Sequence, residues 1–175
     1  LAHLLQQGLM SSAFWFISPS PDICSFNHVS EFALPLTTTI RVRYAETDQM
    51  GVVHHAVYYI WFEHLRTEYF RELGIPYSEL EAQGIFFPVL ESGCRYKEGA
   101  RYDGEVTITG WLREPRGARV RLDYLVEQEG RVLAEGFTVH ARIDAARRPG
   151  RIPIEILDKM KAAASPPGEG PGELP

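Results

Sequence analysis

The chain is 175 residues long, 45% hydrophobic and 23% charged, enough to bury one sizeable core and too little for two large ones. Its 23 acidic against 18 basic side chains leave a net charge of -5, so no chain-wide positive field exists to hold DNA or RNA, and a nucleic-acid partner is not expected. Cys24 and Cys94 have neither disulfide-framework nor zinc spacing and point to a reducing, cytoplasmic setting, and no apolar run approaches the roughly 18 to 20 residues that a membrane-spanning helix needs.

Residues 1–36 contain neither Lys nor Arg and run through Ser18-Pro19-Ser20-Pro21 without a sustained period. The apolar patch from Ala13 to Ile17 lacks the basic region that precedes the core of a signal peptide, so this part reads as a poorly ordered extension. Ile40, Val42 and Tyr44 then alternate with Arg41 and Arg43, which predicts a strand with one buried face. Over 56–73 the apolar residues Val57, Trp61, Leu65 and Tyr69 recur every fourth position, with Tyr58, Phe62 and Leu73 widening the stripe. That spacing predicts a helix of about five turns, ended by Gly74-Ile75-Pro76, and a short second helix over 77–83. Next come period-two runs at 87–97, 105–114, 119–128 and 131–144, separated by turn residues and expected to form an antiparallel meander. Val120, Leu122, Tyr124 and Val126 face one way and Arg119, Arg121 and Asp123 the other, so the sheet is covered on one side, by the long helix. A last helix is expected over 153–164, and 165–175, rich in Pro, Gly and Glu, reads as a solvated tail. The layout is α+β, with one folded domain over 37–164.

Residues with chemistry sit between the first strand and the long helix, in the run from Tyr44 to Tyr58. A helix entrance leaves several backbone N–H groups without intrahelical partners and carries partial positive charge, so it can hold a developing oxyanion. Val53, His54 and His55 stand there in place of a capping Ser, Thr, Asp or Asn, which leaves those donors open to a ligand. Asp48 is near enough to act as nucleophile or general base. The alternative is structural: Asp48 closes an Asx turn and Gly51 supplies a positive φ. Adjacent His54 and His55 point in different directions and Glu63-His64 is not an H-E-x-x-H, so no metal is expected. Glu63 reads as an exposed or interface acid, and Cys94 as a small core residue.

The run D-Q-M-G-V-V-H-H-A-V-Y, preceded by R-Y-A-E-T and followed by E-H-L-R-T-E, resembles the hotdog-fold acyl-CoA thioesterases of the 4-hydroxybenzoyl-CoA thioesterase type, nearest their bacterial Tol-Pal-associated branch, across roughly residues 38–160. The resemblance implies a five-stranded antiparallel sheet wrapped around a long central helix, and hydrolysis of acyl-CoA without a cofactor. By motif position, Asp48 performs the hydrolysis and the backbone N–H of His55 polarises the thioester carbonyl. Gly51 gives close backbone approach, Tyr58 belongs to the substrate-binding set, and Arg113, Arg116 and Arg119 match loosely the region that meets the CoA phosphates. The resemblance further implies a dimer joined sheet edge to sheet edge, often paired into a homotetramer, with active sites shared between subunits. Val57 stands where the family often has Asn, and His54 where it has an aromatic residue, which bears on the acyl group accepted. A non-catalytic acyl-CoA-binding hotdog module and a hotdog hydratase or dehydratase are the rival readings.

Overall fold

In the computed structural model the described residues are 35–113, 115–166 and 168–171. The extension expected over 1–36, Cys24 included, lies almost wholly outside them. A single antiparallel sheet is built from β1 (Leu36–Arg41), β2 (Val89–Tyr96), β3 (Glu105–Leu112), β4 (Arg119–Gln128) and β5 (Arg131–Ala141). Helix α1 (Val57–Glu72) packs on it, α2 (Tyr77–Ala82) follows α1, and α3 (Ile154–Ala162) closes the domain.

The strands fall where the period of two places them, but their order is β1-β3-β4-β5-β2 and the expected meander is only three strands long. The 97–104 segment is a crossover: it carries the chain from the β2 edge to the far side of the sheet, and β2 pairs with β5 instead of β3. Glycines in that segment signal a change of direction but not where the next strand lands. The first strand also stops earlier than its pattern suggests. Val42 is buried beyond its end, whereas Tyr44 stands in a 3-10 turn with its ring in solvent, because Glu46 turns back to accept from the Arg43 backbone N–H.

Val106, Ile108, Leu122, Tyr124, Val126 and Ala134 line the inner face, and Trp61, Phe62, Leu65 and Tyr69 of α1 meet them, all of these at 3% exposure or less. Two strand glycines set how closely the helix sits. A Cβ at Gly110 would lie 2.5 Å from Leu65, and one at Gly136 would lie 2.4 Å from Phe62, whose ring stacks on Tyr124 at 4.4 Å. The outer face is less polar than its sequence implies. Asp123 is only 3% exposed there, held by Arg113 and Arg121, while Arg121 also lies over the Phe137 ring at 4.4 Å. The start of the expected solvated tail packs as well: Ser165 donates its N–H to Leu112 O at 2.9 Å, and Gly170 lies against Trp111.

Register fixes the two ends of the sheet. Arg41 pairs with Glu105, so the chain leaves β1 at the end where β2 finishes and β5 begins. The β3–β4 turn lies at the opposite end, beyond the Leu112–Leu122 pair. Helix α1 runs between them, from Tyr58 beside Ala100 to Tyr69 beside Ala163.

Candidate active site

The turn after β1 is organised around Glu46, which is 5% exposed. Its carboxylate accepts from the Arg43 backbone N–H at 2.8 Å, from the Arg43 guanidinium at 2.8 and 3.1 Å, and from the Trp61 indole at 3.4 Å. Burial alone raises the Glu46 carboxyl, but these donors and the arginine charge outweigh it and hold the group below the usual carboxylate range. Its backbone carbonyl accepts from His54 N–H at 2.9 Å, tying the turn to the helix entrance.

Between these anchors a Thr47–Val53 bridge closes a small loop. Asp48 N–H donates to Val52 O at 2.9 Å, Gly51 N–H donates to Asp48 O at 2.9 Å, and Met50 N–H donates to Asp48 Oδ1 at 2.8 Å. The Asx turn of the structural reading is therefore formed, but it uses one carboxylate oxygen; Oδ2 has no hydrogen-bond partner among the described residues. Gly51 has φ 72 and a Cβ there would meet nothing within 4 Å, so within one chain the residue serves backbone conformation.

At the entrance of α1 the expected open donors are partly filled from within. The Ala56 N–H donates to His54 Nδ1 at 3.3 Å and the Val57 N–H to His54 O at 2.9 Å, so His54 caps the helix with ring and carbonyl together. The backbone N–H of His55 has no acceptor among the described residues. Its ring is exposed, 4.2 Å from that of His54. Tyr58 is 1% exposed, its ring against Tyr96 and Trp61 and its hydroxyl accepting from Ala100 N–H at 3.4 Å; burial raises its phenol. Among the described residues no three His, Cys, Asp or Glu side chains gather as a metal site. Glu63 is exposed, and Cys94 is half-buried on β2, where burial pushes its thiol up to about 11.

Arg113, Arg116 and Arg119 are at the other end of the sheet. Arg113 is engaged with Asp123 and donates to Glu169 O at 2.7 Å. Arg116 and Arg119 exchange backbone hydrogen bonds of 3.0 and 2.9 Å across the turn and are exposed. The length of β3, roughly 25 Å at about 3.3 Å per residue, separates this turn from Asp48, so one chain does not bring the arginines to the Asp48 loop. Strand spacing gave no warning of this, because it says nothing about which end of a sheet a turn occupies. Sequence reasoning also passed over Glu46, whose signal was the arginine three positions before it, and Tyr96, which no local pattern marks.

The model of the thioesterase-like superfamily matches residues 42–167. The chain belongs to that superfamily. The matched span holds the Asp48 loop, α1 and all strands after β1. The chain is 30% identical to the acyl-CoA thioesterase YbgC of Haemophilus influenzae, over 71% of this chain and 90% of that protein. Among solved structures of the superfamily's fold it is 44% identical to the protein TT1821 of Thermus thermophilus, with a TM-score of 0.68 over 71% of this chain and 95% of that one. It is 33% identical to a DHNA-CoA thioesterase from Staphylococcus aureus, with a TM-score of 0.68 over 73% of this chain and 87% of that one. No helix among the described residues is long and apolar enough to cross a membrane.

Proposed function

We propose that the protein hydrolyses acyl-CoA thioesters to the free acid and CoA, with Asp48 as nucleophile or general base and the backbone N–H of His55 polarising the thioester carbonyl. Membership of the superfamily and the likeness to YbgC support the reaction. The observation that carries the residue assignment is a half-buried carboxylate with one oxygen uncommitted among the described residues, in a bridged loop that leads directly to a helix-entrance N–H with no acceptor among them. A thioester carbonyl is already electrophilic, so one aimed N–H dipole and one carboxylate are sufficient machinery. Direct attack by Asp48 forms a mixed anhydride and expels CoA as thiolate, and water then cleaves the anhydride; alternatively Asp48 removes a proton from water as it attacks the same carbon.

Gly51 keeps the loop backbone open to the substrate, and Tyr58 backs the site from the core. Arg116 and Arg119, with Arg113 held by Asp123 and Glu169 O beside them, serve the CoA phosphates from a partner subunit, so this reading requires a dimer, or a dimer of dimers, with shared sites. The edge of β2, which pairs with β5 alone among the described residues, and its exposed Val89 and Leu90 supply the joining surface. A hydratase needs a catalytic histidine paired with an acid; the His54 ring is spent on Ala56, His140 is buried between Phe87 O and Thr138, and the exposed His55 ring meets the rings of His54 and Tyr96 and no carboxylate among the described residues.

Thiol release from short-chain, long-chain and aromatic acyl-CoA tests the reading. Asp48→Asn removes the charge and keeps the shape, so hydrolysis is expected to fall by several orders of magnitude while circular dichroism and oligomer mass stay unchanged. Activity within a few-fold of the parent removes Asp48 from the chemistry.

A further inference from the structure

The His55 N–H lies in the peptide plane before its Cα, and how far that plane can turn is limited, through the φ and ψ of His55, by the plane after that Cα. The plane before it has its carbonyl, His54 O, fixed by Val57 N–H at 2.9 Å, so the His55 N–H at its opposite side points away from the helix. The plane after it has its N–H, from Ala56, on His54 Nδ1, and its carbonyl, His55 O, accepts from the Tyr96 hydroxyl at 3.0 Å. That last bond is the one long-range tether of the set. Tyr96 is the final residue of β2, 41 positions from His55, and its ring also meets those of Tyr58 at 5.2 Å and His55 at 6.5 Å. Burial raises its phenol above the ordinary range, so it stays a protonated donor near neutral pH.

We propose that Tyr96 is a positioning residue for the reaction: its hydroxyl, by holding the His55 carbonyl, fixes the second peptide plane, and through the φ and ψ of His55 it restrains the first, keeping the His55 N–H aimed at the developing oxyanion. The proposal rests on the assignment of that N–H above. Both backbone dihedrals of His55 are then set before substrate arrives, which is the condition under which a single N–H stabilises a transition state without reorganising. Tyr96 touches no reacting atom. Its hydroxyl is also not needed to fill the core, since the residue is 43% exposed.

Tyr96→Phe keeps the ring contacts and deletes the tether. Loss of this hydrogen bond is expected to lower kcat about tenfold with KM within about twofold of the parent, and to leave the melting temperature nearly unmoved. In protein labelled with 15N-histidine, the His55 amide is expected to shift and to show a lowered backbone order parameter, while the His64 and His140 amides stay in place. A kcat within twofold of the parent overturns the proposal, and so does a lowered kcat with an unaltered His55 amide. Asp48→Asn run in parallel separates the two readings: if it retains activity the reaction assignment fails, and the amide measurement still decides whether Tyr96 holds His55.

Discussion

Glu46 holds the Asp48 loop and the helix entrance in one piece, although only its neighbour two positions on carries the proposed chemistry. Glu46→Gln keeps the size and loses the charge facing Arg43. Because Arg43 is largely in solvent, the destabilisation is expected to be modest, about 1 to 2 kcal/mol by urea unfolding, and kcat should fall with it as the loop loosens. His140 gives the protein a pH signature of its own. Burial, and then the charge of Arg66, lower its imidazole from 6.5 to about 4, so between those values the unfolded chain binds a proton that the folded chain refuses. Stability is therefore full above about pH 6.5 and declines on acidification through this window, by at most about 1.4 kcal/mol per pH unit. Urea midpoints at pH 7, 6 and 5 measure the slope, and His140→Gln should flatten it.

At the scale of elements, the fit of α1 on the sheet depends on what β3 and β5 omit. Gly136→Ala forces a methyl group against the Phe62 ring and Gly93 O, neither of which has room to yield, and a loss of about 1 to 3 kcal/mol in unfolding free energy is expected. The strands and α1 were legible in the sequence because one-sided burial imposes a period of two or a four-residue recurrence, and β4 begins and ends where its pattern does. The partner of β2 was not, since pairing with β5 is decided by packing across the whole sheet. The same division holds in the site. Asp48 and Gly51 were readable because their loop is local; the filling of the helix entrance by His54, and the reach of Tyr96 to His55, depend on rotamers and on contacts far apart in the chain.

For the whole molecule, the opposite placement of the Asp48 loop and the Arg116–Arg119 turn gives a sharp test of shared sites. Light scattering is expected to give at least twice the 19.8 kDa chain mass. Co-expression of an Asp48→Asn chain with an Arg116→Ala/Arg119→Ala chain should restore low-KM hydrolysis of full acyl-CoA, because one site of each mixed dimer then joins an intact Asp48 to intact arginines. If the two lesions act in the same chain's site, no mixture restores it. A truncated thioester without the nucleotide should not notice the arginine changes. The crossover from β2 to β3 also bears on how the protein is made. During synthesis β2 emerges before any of its pairing partners, and it waits, with the aromatic face of α1 uncovered, until β5 has left the ribosome. Closing such distant pairings demands chain entropy before any contact rewards it, so the protein should refold more slowly than a plain meander of the same length and depend on chaperones while β2 waits.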